Sequence, residues 1–320
     1  MRNEAGSLRA LIDSIRQQTF PPAEVILVDG GSADGSAALA RSLAGGDTRF
    51  RIIEAGAATP GRGRNVGIAA ARHEWVALTD AGIRLEPIWL ERLVQTVESD
   101  PALDVVYGNY EPVAGSLFER CAALASPAPK QERPGGRMRG PSIASTLLRR
   151  SVWQAVGEFP DLRAAEDLIF MERIEKRGFK VGWAPTATVW WQLQPSLRRT
   201  FRKFALYSYH NALIGRQRDW HHGIARQYVI GLICAIPAIA HSPWWLLVPA
   251  LGATARVARS IWRRREGRGL LWALNPAQFL GVGAILLAID LATFTGWAQA
   301  VRERLSKSPP RSAEVGESNS

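Results

Sequence analysis

The stretch Trp75-Val76-Ala77-Leu78-Thr79-Asp80-Ala81-Gly82 decides how the rest of the chain is read. Trp75 to Leu78 form an uncharged apolar run, and polar Thr79-Asp80 and small Ala81-Gly82 follow at its tip. Such a run reads as a buried strand of an α/β sheet. Ligands bind beyond the carboxyl ends of strands in open α/β sheets, and a carboxylate there can hold a divalent cation or a ribose hydroxyl. Taken alone, the stretch fits equally well a strand and turn in which Asp80 caps the next helix.

Toward the N-terminus, Glu24-Val25-Ile26-Leu27-Val28-Asp29 reads as another strand ending on an acid. Gly30-Gly31-Ser32 turns the chain, and Ser32 or Asp34 can cap a helix to about Leu43. Residues 49–54 form a third short strand. Leu8, Leu11, Ile12 and Ile15 recur at helical spacing, so residues 4–18 read as an amphipathic helix that Pro21-Pro22 ends. Gly61-Arg62-Gly63-Arg64-Asn65-Val66-Gly67 opens the helix before Trp75. Strand and helix alternating in this way predict a mostly parallel sheet with helices on its faces. The glycines look like a dinucleotide fingerprint, but their spacing is off by one and they do not follow the first strand. Arg62 and Arg64 at a helix start suit a phosphate, or make a solvated basic turn.

Toward the C-terminus, Pro87 starts a helix to about Ser99, and Asp104 to Gly108 read as a strand. Residues 127–141, rich in Pro, Gly, Lys and Arg, read as a long loop of the kind that forms lids or binding loops. Ser142 to Leu148 can be a strand. Ala165-Glu166-Asp167-Leu168 opens a helix that reaches Gly178. Its two acids can complement the helix dipole, or one can serve as a general base. Val181 to Ala184 and Thr188 to Trp191 read as short strands, and 196–219 as a basic, aromatic amphipathic helix suited to a membrane interface or to packing on the domain.

The 320 residues carry a formal net charge of +11, which calls for acidic partners. Arg256, Arg259, Arg263, Arg264, Arg265 and Arg268 lie between two apolar segments, which favours a membrane surface over nucleic acid, for which no binding motif is present. The two cysteines, Cys121 and Cys234, exclude a disulfide framework. Residues 227–255 are uncharged apart from His241 and are interrupted by Pro237, Pro243 and Pro249. They read as two short apolar helices with a turn near 241–243. A hairpin returns the arginine cluster to the cytoplasmic side, as the positive-inside rule prefers. A second apolar run, about 270–301, contains Asp290 as its one charge. The expected organisation is a catalytic domain over 1–220, a membrane-associated helical region over 221–301 and a disordered tail over 302–320. The catalytic domain is expected on the cytoplasmic face of the inner (plasma) membrane.

Arg2-Asn3-Glu4, Val28-Asp29-Gly30-Gly31-Ser32-Ala33-Asp34-Gly35-Ser36, Gly63-Arg64-Asn65-Val66-Gly67, Asp80-Ala81-Gly82 and Glu166-Asp167, in this order, resemble a family 2 glycosyltransferase of the GT-A fold, over roughly residues 2–215. The resemblance implies an α/β Rossmann-like catalytic domain with apolar membrane helices after it. It implies that Asp29 binds the base of a nucleotide-sugar donor with Glu4 beside it. Arg64 and Asn65 would line the donor phosphates, and Asp80 would be the metal-binding first acid of the D-x-D motif for Mn²⁺ or Mg²⁺. Asp167 would be the catalytic base, with Glu166 next to it. The implied reaction is inverting transfer to a lipid-linked or cell-surface polysaccharide acceptor.

Three departures from the family pattern stand out. Gly82 replaces the second acid of D-x-D. The apolar strand that should precede Arg2-Asn3-Glu4 is missing, which predicts a gap in the sheet and an upstream start codon or a truncated gene. No Q-x-x-R-W motif is present, and Gln192 stands where many relatives have a His, so one sugar per encounter is expected rather than processive synthesis. The first and second departures also motivate a different reading, a catalytically inactive membrane scaffold with this fold.

Overall fold

The computed structural model describes residues 1–306. The chain divides into two compact units. One comprises Met1–Leu197 with Ala250–Leu286, and the other comprises Arg198–Pro249 with the chain from Leu287 onward. The arginine-rich segment 256–268 thus belongs to the first unit.

In the first unit, α1 (Ala5–Arg16), β1 (Val25–Asp29), α2 (Ser36–Ala44), β2 (Phe50–Glu54), α3 (Pro60–Ala70) and β3 (Trp75–Leu78) alternate. Next come β4 (Ile83–Leu85), α4 (Trp89–Ser99), β5 (Val105–Val113) and α5 (Leu117–Ala125). The hairpin β6 (Gln131–Arg133) and β7 (Gly136–Met138) then leads to β8 (Thr146–Arg149), α6 (Arg150–Val156), α7 (Glu166–Lys176) and β9 (Val181–Gln192). The class is the expected α/β one, but the strand polarity is mixed. β1 pairs with β2 and β5 with β9 in parallel, whereas β8 runs antiparallel to both β3 and β5, and β4 antiparallel to β9. Apart from the β6-β7 hairpin, the strands form two ladders, β1-β2 and β3-β8-β5-β9-β4, with no backbone pairing between them. Met1 fills one rung beside β1, donating to the Val28 carbonyl at 2.7 Å and accepting from the Gly30 N–H at 2.8 Å.

Side chains join the two ladders instead. Leu8, Leu11, Ile12 and Ile15, spaced to one face of α1, share a core with Val25 and Leu27 of β1 and with Ile83 and Leu85 of β4. Ser14 Oγ accepts from Leu85 N at 3.2 Å, and Gln18 bridges Glu86 O at 2.8 Å and Leu90 N at 3.0 Å. A second core, with Ile68, Leu148, Phe159, Phe170 and Ile174, lies under α3, α6 and α7.

The rest of the first unit comes from the C-terminal part of the chain. α11 (Leu247–Arg263) contributes from Ala250 on, α12 (Leu270–Ala273) follows, and α13 (Pro276–Ser306) contributes up to Leu286. Ser260 Oγ donates to Leu124 O at 2.7 Å and Arg264 Nε to Pro127 O at 2.7 Å. A Cβ on Gly281 would lie 2.6 Å from Cys121 Sγ, so this glycine lets α13 close on α5.

The second unit holds α8 (Leu197–Leu213) from Arg198, α9 (Gln217–Trp220), α10 (His222–Ala240), a single 3₁₀ turn at Pro243–Leu246 and the last part of α13. The expected helix over 196–219 is broken between Leu213 and Gln217. Ser208 Oγ donates to Thr293 O at 2.6 Å and meets His221 Nε2 at 2.8 Å. Asp290 is 1% exposed and accepts from the Tyr228 hydroxyl at 3.1 Å, so it packs one helix on another. α13 continues to Ser306, past the expected boundary at 301; the remainder of the expected tail lies outside the described residues. α10 and α13 are both long and apolar enough to cross a membrane, but they differ in surroundings. In the most apolar stretch of α13, 44% of the residues are buried, against 6% in α10.

Candidate active site

The site forms where the carboxyl end of β3, the start of α3 and the start of α7 converge. Thr59 caps α3 by accepting from Arg62 N at 3.2 Å, and Pro60 occupies the first helical turn, where its missing N–H costs nothing. A Cβ on Gly61 would stand 2.0 Å from Pro160 O and 3.4 Å from Glu166 Cβ, so this glycine lets α3 close against the loop before α7. That approach brings Arg64 to Glu166.

Arg64 is the hub. Its Nη1 donates to Glu166 Oε1 at 2.6 Å and its Nη2 to Asp80 Oδ1 at 2.8 Å, while the guanidinium lies 5.6 Å from the Phe159 ring centroid. Two carboxylates hold the guanidinium charged despite its burial. Burial lifts the Glu166 carboxyl above its ordinary value; Arg64 works against that lift and the neighbouring Asp167 charge adds to it. Glu166 is 5% exposed. Asp167, one residue on, is half-buried, and among the described residues its Oδ1 accepts only the Leu168 N–H at 2.8 Å. Consecutive residues at a helix start point in different directions, so one acid is tied inward and the other is left available. The left-handed φ of +67° at Ala165 makes the sharp entry into α7 that places both.

Asp80 does not cap a helix. It follows β3, pairs with Arg64, and leads through Gly82 into β4. Asn65 faces protein rather than a cleft. Its Oδ1 accepts from Trp153 Nε1 at 3.1 Å and Phe159 N at 2.9 Å, and its Nδ2 donates to Phe159 O at 2.8 Å. Asn65 therefore fixes the loop against which Arg64 stacks. Asp29 is 4% exposed and accepts from Ser32 Oγ and from the Ser32 and Gly31 N–H groups. Ser32 is thus engaged by Asp29, whereas Asp34 serves two helix starts, accepting from Ser36 N in the first turn of α2 at 3.1 Å and from Ala5 N of α1 at 3.1 Å. Glu4 lies beside Gly82. The carboxylates of Asp80, Asp29 and Glu4 all act on the Met1 amino group, whose pKa burial nonetheless lowers. Arg62 makes no ion pair at the site; only its backbone N–H takes part, in the Thr59 cap.

No group of three His, Cys, Asp or Glu side chains is arranged for a metal ion among the described residues. A divalent cation at a phosphate site commonly takes only one or two protein carboxylates, with substrate phosphates and water completing the shell. The oxygen chemistry of Asp80 and Glu4 fits such a cation, and the Asp80 side chain is 48% exposed. Sequence reading missed that Arg64 bridges Asp80 and Glu166, and that Gly61 makes the bridge possible.

The acid-tipped strand, the buried arginine and the paired acids at a helix start define a GT-A-type domain. Residues 1–144 match the model of the family Glycosyl transferase family 2. It is similar to EpsH of Bacillus subtilis, 32% identical over 52% of this chain and 51% of that protein. The succinoglycan biosynthesis protein ExoA of Rhizobium meliloti is 28% identical over 56% of this chain and 57% of its own length. The chain spans about half the length of the curated relatives it matches. In fold it is similar to the mannosyltransferase PcManGT of Pyrobaculum calidifontis, solved with GDP-Man and Mn²⁺. The TM-score is 0.54 at 18% identity, over 92% of this chain and 85% of that one.

Proposed function

We propose that this chain is a membrane-associated, inverting glycosyltransferase that moves one sugar from a nucleotide-sugar donor to a glycan or lipid-linked acceptor. The observation that carries this reading is Arg64 held between Asp80 and Glu166, with Asp167 available one residue away. In the proposed reaction Asp167 takes the proton of the acceptor hydroxyl as its oxygen bonds to the anomeric carbon. The bond from that carbon to the donor phosphate breaks on the opposite face, and the nucleoside diphosphate leaves with the electron pair. Arg64, fixed before donor arrives, supplies positive charge where negative charge develops. Asp80 and Glu4 would hold a divalent cation, whose role is to neutralise the diphosphate. The Mn²⁺ and GDP-Man found with the structural relative support a donor of this class.

Membrane association rests on α10. Leu232, Ile236 and Ile239 are 70%, 68% and 90% exposed, and a helix bare and apolar on this scale suits lipid rather than water. An inner-membrane location with a cytoplasmic catalytic domain follows from the positive-inside preference of the arginine cluster.

Gly82 favours the alternative, an inactive scaffold. Detergent-purified protein offered UDP-, GDP- and dTDP-sugars with Mn²⁺, Mg²⁺ or EDTA separates the two readings. Turnover that disappears in Asp167→Asn supports the transferase. Binding without turnover, unchanged by Asp29→Ala or Asp80→Ala, supports the scaffold.

A further inference from the structure

Gly82 occupies the place of the second acid of the family's metal-binding motif, and the structure around it is not empty. A Cβ added at residue 82 would meet the two Glu4 carboxylate oxygens, Oε2 at 3.7 Å and Oε1 at 4.0 Å, and nothing else within 4 Å. The space an aspartate side chain would extend into is bordered by a carboxylate from another part of the chain. We propose that Glu4 takes over the task of the missing acid, so that the cation of the donor complex is shared by Asp80 and Glu4. This inference rests on the donor-binding reading above.

Three features carry it. First, both carboxylates keep an oxygen for a ligand. Asp80 gives Oδ1 to Arg64 and Glu4 gives Oε2 to the Ser7 hydroxyl at 2.6 Å, while Asp80 Oδ2 and Glu4 Oε1 accept no hydrogen bond among the described residues. Second, Glu4 is held in place. Its backbone N–H donates to Ser36 Oγ at 2.8 Å, its carbonyl accepts the Ser7 and Leu8 N–H groups, and Ser7 orients its carboxylate, the kind of outer contact that tunes metal ligands. Third, glycine at 82 leaves free the space that Glu4 borders, since a Cβ there would be in ordinary contact with the Glu4 carboxylate. Aspartate there would press a second negative charge against it, so Glu4 and an acid at 82 exclude one another. The pair explains why a chain that has lost one acid still has two carboxylates at the tip of β3.

The test is Mn²⁺ binding followed by electron paramagnetic resonance on the full chain in detergent, with UDP and with GDP present. Turnover is not needed. Wild type is expected to bind Mn²⁺ in a nucleotide-dependent way. Glu4→Gln should weaken that binding by about tenfold or more, with the thermal melt unchanged. The swap Glu4→Ala with Gly82→Asp should recover most of the loss, whereas Gly82→Asp alone should not improve on wild type. Three results with the variants overturn the proposal. One is Mn²⁺ binding that Glu4→Gln leaves intact. Another is a loss of nucleotide affinity in Glu4→Gln that is equal in Mn²⁺ and in EDTA, which would make Glu4 a nucleoside contact. The third is failure of the swap to recover binding while its melt matches wild type. If wild type binds nucleotide equally with and without Mn²⁺, this inference fails and the donor reading stands; if it binds no nucleotide, both fail.

Discussion

Arg64 and Glu166 are 102 residues apart in the chain, and their side chains meet at 2.6 Å in a largely buried pair. The contact ties the first turn of α7 to the middle of α3 and, through Asp80, to the tip of β3. Removing one member leaves the other buried and uncompensated, which costs far more than deleting the pair.

Arg64→Met is therefore expected to destabilise the first unit by about 3–5 kcal/mol. Arg64→Met with Glu166→Gln should recover much of that stability and none of the activity. Urea denaturation beside donor turnover separates the two effects.

Asp167→Asn is expected to lower turnover by about 10²–10⁴-fold and leave the melting temperature unchanged, because the carboxylate makes one local hydrogen bond. Glu166→Gln should do the reverse in part, reducing stability and donor affinity together through Arg64.

Two of the three glycines of α3 give a paired prediction. Gly61→Ala must displace the Pro160 carbonyl, so it should destabilise the fold and lower activity together. Gly63→Ala meets only Val28 Cγ1 at 4.0 Å, an ordinary contact, and should stabilise by up to about 1 kcal/mol. Thermal melts of both variants check this.

Burial works to raise the pKa of Asp29, but the Ser32 hydroxyl with the Ser32 and Gly31 N–H groups outweighs it, and the carboxyl sits below the ordinary aspartate range. A depressed native pKa gives stability that is present above the unfolded value and lost as pH falls through the native one. The stability gap between wild type and Asp29→Asn should therefore be full near neutral pH and should narrow below about pH 4. Urea midpoints across that range measure it.

Arg139, 4% exposed, donates to Glu111, Glu266 and the Ala128 carbonyl. Arg139→Met should cost about 3–5 kcal/mol, whereas Glu266→Gln, at a half-exposed position, should cost less than about 1 kcal/mol.

Much of the fold was legible because its strands are short apolar runs punctuated by acids and glycines. β1, β2 and β3 begin and end close to where the pattern places them. The mixed polarity was not legible. β8 is antiparallel to its neighbours, and nothing in Thr146-Leu147-Leu148-Arg149 encodes direction. Two expected strands over 181–191 are one, because β9 continues through a register shift against Gly108 and Asn109. Residues 127–141 read as loop because Gly and Pro dominate them, yet β6 and β7 pair there around a turn with positive φ at Gly135 and Gly136. At the site, the acids were legible by position alone. Arg64 looked like a phosphate ligand at a helix start, since only the tertiary approach at Gly61 reveals which carboxylates it meets. Asn65 looked like a donor contact for the same reason.

The two separate ladders have a mechanical consequence. Asp29 ends one and Asp80 follows a strand of the other, so no row of backbone hydrogen bonds sets the spacing between these acids. Helix α1 acts as the splint. Its apolar face grips both ladders, and Ser14 and Gln18 pin it to the chain at Leu85, Glu86 and Leu90. Side-chain packing yields more gradually than a ladder does. The spacing of the two acids is thus set by how Leu8, Leu11 and Ile12 pack between the ladders rather than by a shared row of backbone bonds.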